Sequence, residues 1–483
     1  MAFIRKVKTK SGAIAVQIAY KVYGRITKLE HIGSSHNPEE LTTLISLARE
    51  KLQGSQMDLF SRRENRLEIK LRKSVSDFLY QVLNRQYQRL GLSKLKDTDF
   101  TNLCIARIVE PTSKLDSLLV LEELGVDGID KNQLYRCLQR VVAKDYRKTI
   151  SNLCFEKVAS QNLNLVLYDV TTLYFEIQKE DDFRRPGLSK ERRLEPQIVI
   201  GLLVDQTGFP LSLQSFEGNT AETKTILPVL EDFKLEHDLK NITVVADAAM
   251  LSRTNLESLA AYGYYFIVGS RLTKVPYDIA EFQKQVGTKF IDSQIFVTRK
   301  DDYQIIYQYK EKRAKLDIKN IDLQVAKAER MVKGLTPVKR NRFVTLKSET
   351  KTINEELINK AYALAGIKGY VTNLNIPPQE VINAYHELFN VEKSFRMAKS
   401  DLKARPIFHR KRDAIEAHLT IVFACLAIIQ RIEKATGLSI KKFIKILKPI
   451  RSGIIVINGT EYPAKPEIPK LIHKLLLKLE SGH

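Results

Sequence analysis

Cysteine is scarce in this sequence. Its four copies, Cys104, Cys137, Cys154 and Cys425, are widely spaced among mostly apolar neighbours, which argues against a disulfide framework or a zinc site and predicts reduced core thiols. Acidic residues are also in deficit: 56 Asp and Glu face 78 Lys and Arg, a formal net charge of +22 with a pI near 9.6. A chain with that balance is expected to meet a polyanion. No run reaches the roughly 18 to 20 apolar residues of a membrane-spanning helix. The best candidate, Leu419 to Ile429, is short and flanked by charge, so no membrane partner is expected. The opening MAFIRKVKTK is basic with no apolar stretch behind it, so no secretory signal is expected either. The 483 residues are enough for two to four domains with a substantial core.

Two aspartates each close an apolar, β-branched run: Asp169 in LNLVLYDVTTLYFE and Asp247 in NITVVADAAMLS. The runs 163–168 and 242–246 predict buried central strands, where a charged side chain is costly unless paired or bound to metal. An aspartate at the carboxyl end of such a strand points into the crevice where α/β sheets place their ligands. A helix N-cap or a turn residue is the alternative for either one alone.

A third acid lies far downstream, in YHELFNVEKSFRMAK, Tyr385 to Lys399. Leu388, Val391 and Phe395 recur at helical spacing with no Gly or Pro between them, which predicts one amphipathic helix. Glu392, Arg396 and Lys399 stand at i, i+4 and i+7, so a carboxylate and two cations share one edge; a solvated stripe has the same pattern. Three carboxylates brought to one point repel each other unless divalent cations sit between them, and hard oxygen ligands suit magnesium or manganese.

The order Asp, Asp, Glu, with YDVTTLYFE, VVADAAMLS and the pattern Y-x2-L-x3-E-x6-K around the three positions, resembles the DDE transposases of bacterial insertion sequences. It is most similar to the subgroup whose third motif is Y-x2-R-x3-E-x6-K, with a long insertion before the glutamate. Tyr385, Glu392 and Lys399 match in register, while Leu388 stands where the family often has Arg. The resemblance is strong over residues 163–429 and weak over the N-terminal third. It implies an α/β, RNase H-like (retroviral integrase-like) catalytic core with a β-rich insertion, preceded by a mostly helical N-terminal region. It also implies that Asp169, Asp247 and Glu392 are catalytic and hold two divalent metal ions, Mg²⁺ or Mn²⁺, with Tyr385 and Lys399 contacting DNA near the cut. The implied partners are double-stranded DNA, as terminal inverted repeats and target, and a second copy of the chain in a DNA-bound homodimer, with the bacterial cytosol and nucleoid as the location.

Six regions are expected: 1–56, a β-hairpin plus helix; 57–160, helical and a candidate DNA-binding region; 161–270, the first part of the core; 271–378, a basic, β-containing insertion; 379–435, the second part of the core; and 436–483, a helical tail. In the first, AIAVQIAYKVYGRITKLEHIG alternates around Gly24 and PEELTTLISLAREKL follows Asn37. In the second, residues 57–90 read as linker or helix. SKLDSLLVLEELGVDGIDKNQLYRCLQRVV then reads as helix, glycine turn, helix, either a helix-turn-helix offering Lys131, Gln133, Arg136 and Arg140 to a groove or a plain bundle. After Asp169, three antiparallel strands, a helix over 221–233, a strand ending at Asp247, a helix and the strand YYFIVG are expected. The basic segment 184–193 lies near the active-site mouth or is a solvated loop.

Asp247 and Glu392 stand 145 positions apart, more than a simple crossover needs. Strand-like IFVTRK, YQIIYQYK and RFVTLK alternate there with the basic loops KEKRAKLDIKN and VKGLTPVKRNR. Their aromatics could stack on bases or belong to a half-buried sheet. Arg405, His409, Arg410, Lys411 and Arg412 form a basic cluster ahead of an apolar helix, fit for phosphate or for solvation of the helix start. His409 has no companion at metal-ligand spacing. The chemistry expected is in-line phosphoryl transfer at two metal ions about 3.5 to 4 Å apart, with Arg396 and Lys399 neutralising the attacked phosphate. An RNase H-like nuclease and a non-catalytic, transposase-derived DNA-binding protein are the alternatives.

Overall fold

The computed structural model describes residues 2–54, 69–159, 163–176, 179–188, 194–239, 241–248, 252–270, 276–286, 290–300, 302–337, 341–347 and 350–481. Two compact units divide it, residues 1–70 with 456–461 and the remainder. In the first, strands Ala2–Lys8, Ile14–Val22 and Arg25–Ser35 form an antiparallel sheet. The turn between the last two is Tyr23–Gly24, both at positive φ (45° and 82°), the backbone that a two-residue hairpin requires and glycine adopts without strain. Helix Pro38–Gly54 covers the sheet through Leu41, Leu44, Ala48 and the buried Val16 and Ile18. Asn37 Oδ1 accepts the Glu39 amide at its start.

The second unit begins with helices, among them α1 (Thr98–Val109), α2 (Lys131–Ala143) and α3 (Tyr146–Ala159). The central sheet follows: β1 (Leu165–Tyr174), β2 (Gln197–Asp205), β3 (Pro210–Glu217), α4 (Ile226–His237), β4 (Thr243–Ala246), α5 (Arg253–Ala261) and β5 (Tyr265–Ser270). Then come β6 (Ile295–Lys300), β7 (Tyr303–Tyr309), α6 (Glu311–Val332), β8 (Ile367–Thr372), α7 (Pro378–His386), α8 (Phe389–Arg396) and α9 (Arg412–Thr436). The eight strands run in the order β6-β7-β8-β5-β4-β1-β2-β3, with β1, β4 and β5 mutually parallel and the other pairs antiparallel. Such a mixed sheet needs cover on both faces. Tyr168, Val170 and Val199 face α4 and α5, while Leu167, Leu173, Ile200 and Val245 face α7, α8 and α9.

Several expectations are corrected. Asp169 is not at a strand end: β1 continues to Tyr174, because β2 pairs with it along its whole length. Only the parallel pairing with β4 stops at Tyr168. The helix expected over 221–233 begins with a 3-10 turn, Glu222–Lys224, before α4 proper. KEKRAKLDIKN is not a loop but part of the 22-residue α6, where Ala314, Ile321, Ala328 and Met331 give a buried stripe. Two strands of the expected insertion, β6 and β7, extend the central sheet, since β7 pairs with β8 and β8 with β5, whereas Val344–Lys347 of RFVTLK pairs with Thr350–Ile353 in a separate hairpin. Residues 57–68 and 189–193 of the two basic segments lie outside the described residues; within 69–90 there are a strand, Ile69–Val75, and a helix, Asp77–Arg89.

The apolar helix expected over 414–432 spans Arg412–Thr436. α9 has 25 residues, and by length and composition alone it could cross a membrane. Most of it is buried inside the unit, where it packs on α1, α2 and α3, so it serves here as the core helix.

Candidate active site

Strand alternation places the two aspartates. Tyr168 of β1 is in register with Ala246 of β4, the last pair of that ladder, so Asp169 and Asp247 are the residues that directly follow a paired position on adjacent strands. Leu167 and Val245, two residues earlier, face α7 and α8, and a period of two sends both aspartates to that same face. Asp169 is buried; Asp247, one residue past β4, is exposed.

The third acid comes from the covering helices. The single helix expected over 385–399 is in three pieces: α7 ends at His386, α8 starts at Phe389, and a π turn, Met397–Asp401, follows. In it the Leu402 amide reaches back to the Met397 carbonyl at 3.0 Å, an extra residue in the turn of the kind found at functional sites. Leu388, Val391 and Phe395 are buried as their spacing predicts. Glu392 is left exposed beside a pocket of about 360 Å³ lined by Asp169, Glu392, Arg396, Lys399 and Arg405.

Tyr385 ties Asp247 to this arrangement. It is 5% exposed and its hydroxyl donates to Asp247 Oδ1 at 3.0 Å. Burial, the Asp247 charge, that hydrogen bond and the more distant Glu392 hold the phenol far above its ordinary pKa, so it stays a donor. In this structure the Tyr385 side chain meets Asp247 instead of solvent. Gly269, beside it on β5, permits the approach, since a Cβ there would lie 2.7 Å from Tyr385 Oη.

Comparison with known families gives the decision at this point. A family model described as "Transposase DDE domain" matches residues 161–428, more than half of the chain. The chain belongs to that family. It is a DNA transposase, a polynucleotidyl transferase. No curated protein matches it. Among solved structures it is similar to a cryo-EM structure of the piggyBac transposase synaptic complex with hairpin DNA, at 9% identity and a TM-score of 0.40, over 77% of this chain and 79% of that one.

The other residues singled out in the transposase sequence separate into two groups. Arg396, Lys399 and Arg405 line the carboxylate pocket, and the Arg405 guanidinium lies 5.6 Å from the Tyr174 ring centroid. Arg410 is exposed outside it. His409 turns inward, its ring 5.5 Å from that of His418. Burial, with Lys114 and Arg107 nearby, lowers its pKa to about 4, so it brings no positive charge to a phosphate at neutral pH. In α2, Arg140 is spent on Asp97 and Asp99 at 2.8 Å each. Gln133 closes the capping box with Asp130. Lys131 and Arg136 remain exposed.

Lys368 escaped the sequence reading. It precedes Gly369 on β8, with its ammonium 4.2 Å from the Tyr385 ring centroid and 5.7 Å from that of Tyr370. Burial and Arg313 lower its pKa, while Asp247 and Glu392 pull it the other way. A cation below the carboxylates had no signature in sequence, because only the β8–β5 pairing brings it there.

Among the described residues, no three carboxylate, imidazole or thiolate groups form a ready-made metal cluster. The donor chemistry nonetheless fits a hard divalent cation, since the residues expected to hold it, Asp169, Asp247 and Glu392, offer oxygen ligands alone.

Proposed function

We propose that this transposase, of the bacterial insertion-sequence type, cleaves the ends of its element and joins them to target DNA at Asp169, Asp247 and Glu392. The observations that support this reading are the register of β1 and β4, whose last pair, Tyr168 and Ala246, directly precedes the two aspartates, and the pocket that Asp169 and Glu392 both line. The sheet order, with parallel β1, β4 and β5 flanked by antiparallel β2 and β3, supports an RNase H-like, integrase-like core. Enzymes of this family use divalent metal ions. Two Mg²⁺ or Mn²⁺ ions held by the three carboxylates would activate the attacking oxygen and stabilise the leaving one in an in-line displacement.

The chain's own residues do the rest. Tyr385 fixes one Asp247 oxygen and leaves the other to the metal side. Arg396, Lys399 and Arg405 surround the pocket with positive charge, where a phosphodiester and its added negative charge in the transition state are stabilised. The attacking oxygen is water in end cleavage and the freed 3′-hydroxyl in joining, so one site serves both steps. The substrates are duplex DNA ends carrying inverted repeats and a target duplex. Joining two ends in one complex calls for a homodimer on DNA, and the expected location is the bacterial cytosol.

The test is strand transfer from a pre-cleaved element end into plasmid DNA with Mg²⁺ or Mn²⁺, comparing the natural chain with Asp247→Asn and Glu392→Gln. Joined product in the natural chain alone is the expected result. Cleavage without joining would turn the reading to a nuclease. Activity in both variants would remove these carboxylates from the site.

A further inference from the structure

A second and larger pocket, about 840 Å³, opens on the opposite side of α8 from the carboxylates. One wall is the turn between β2 and β3, locked to α8 by Ser394 Oγ donating to the Gly208 carbonyl at 2.8 Å and Asn390 Nδ2 to the Gln206 carbonyl at 2.7 Å. The other walls are the C-terminal end of α9 and helix Lys470–Ser481.

Its charge is unbalanced in a specific way. Five cations line it, Lys157, Lys393, Arg431, Lys434 and Lys478, against two acids, Asp205 and Glu433. Both acids are committed. Asp205 Oδ1 accepts from the Thr207 and Phe209 amides and the Thr207 hydroxyl, all at 2.8 Å. Glu433 accepts the Ile440 amide at 3.0 Å and pairs with Lys393 at 3.6 Å. Lys157, Lys434 and Lys478 make no ion pair with any described residue. The floor beneath them is apolar, with Val158, Phe209 and Leu438.

Three lysines without an ion pair to any described residue, lining a cavity together with Phe209, Val158 and Leu438, ask for a ligand with an anionic end and a flat apolar body. The volume lies within the range of roughly 300 to 1,000 Å³ typical of small-molecule sites and is far too large for inorganic phosphate alone. We propose that this pocket binds a nucleotide group, its phosphate on Lys157, Lys434 and Lys478 and its base over Phe209, with the group either free in solution or carried on the end of a DNA strand. The site is separate from the carboxylate pocket and works without metal.

The experiment is calorimetric titration of the full chain in EDTA with thymidine 5′-monophosphate and, separately, with a 5′-phosphorylated single-stranded hexanucleotide. EDTA keeps metal-bridged phosphate out of the carboxylate site, so failure of the catalytic reading leaves this test intact. Saturable binding that the double variant Lys157→Ala, Lys434→Ala weakens about tenfold or more, as loss of two charge-assisted contacts should, is the expected result. Lys319→Ala on the exposed face of α6 should bind normally. Equal binding of both probes identifies a free nucleotide as a sufficient ligand, and binding of the hexanucleotide alone identifies a strand-borne one. No saturation with either probe overturns the proposal. So does retention of binding in the double variant, or an equal loss in Lys319→Ala.

Discussion

Tyr385 shows how much one buried hydroxyl can decide. The phenol donates to Asp247 Oδ1 and so limits the orientations open to the carboxylate; partners of this kind behind a metal ligand are typically worth about 10- to 100-fold in metal affinity or activity. Tyr385→Phe should therefore reduce strand transfer by about that factor and raise the Mg²⁺ concentration needed for half-maximal rate, with little change in DNA affinity. A gel-based joining assay across a Mg²⁺ series separates the two effects; a loss confined to DNA binding would mean that Tyr385 contacts substrate after all. Gly269→Ala attacks the same contact from behind. Its Cβ would stand 2.7 Å from Tyr385 Oη, so the ring must move, and the same shift in Mg²⁺ dependence is expected without removal of a polar atom.

At the scale of elements, sequence pattern reads faces better than it reads breaks. The buried positions Leu388, Val391 and Phe395 were legible because helical spacing survives a break of one turn, and the place of Asp247 just past a strand was legible because Val244, Val245 and Ala246 lead up to it. The break at Glu387–Leu388 and the π turn were not, since no Gly or Pro marks them; packing of α8 against the sheet and of Leu402 under it sets them instead. The extent of β1 was hidden for a related reason: its pairing with β2 is non-local, and TTLY alternates as well after Asp169 as LVLY before it.

The helical region makes the same point with a measurable consequence. Arg140 carries the helical spacing of a groove-facing residue, yet it is consumed by an acid brought from 43 positions upstream. Burial pushes the Asp97 carboxyl up, but Arg140, the Phe100 amide and the Tyr146 hydroxyl outweigh it and hold the group below its ordinary pKa. Arg140→Ala should destabilise the fold by about 3 kcal/mol, because it strands a buried charge. Arg136→Ala, on the exposed side of α2, should leave stability unchanged. Urea unfolding of the two variants distinguishes them; equal stability would make Arg140 available to DNA.

Across the whole molecule, the excess of positive charge reaches the interior as well as the surface. Behind the start of α9, Arg107, Lys114, His409 and His418 lie together near Cys104 and Cys425, and the charged groups that shift Lys114 and the two histidines are one another, Arg107 and the cysteines. Burial, with Arg107 beside it, lowers the Lys114 ammonium to about 7. Burial and the same cations lower His409 to about 4 and His418 well below its ordinary value. Each group is a base whose folded pKa is depressed, so the unfolded chain binds the proton more tightly, and stability rises with pH between the folded and unfolded pKa values. For His409 that window runs from about 4 up to the ordinary value near 6.5, and His418 shifts in the same direction; for Lys114 it runs from about 7 to about 10.4. Each titrating group contributes a slope of about 1.4 kcal/mol per pH unit within its window. The transposase should therefore lose stability steadily as pH falls from 9 to 5, against the usual plateau around neutrality. Lys114→Met should raise stability at pH 7 to 8 and flatten the alkaline limb, since it replaces a buried charge with no carboxylate partner by a side chain of similar length. His418→Gln, which keeps a donor for the Ala404 carbonyl that the ring nitrogen meets at 3.2 Å, should flatten only the acid limb. Thermal unfolding between pH 5 and 9 tests both, and a natural chain whose stability does not change across that range would mean that these cations are neutralised in solution by an anion the fold admits.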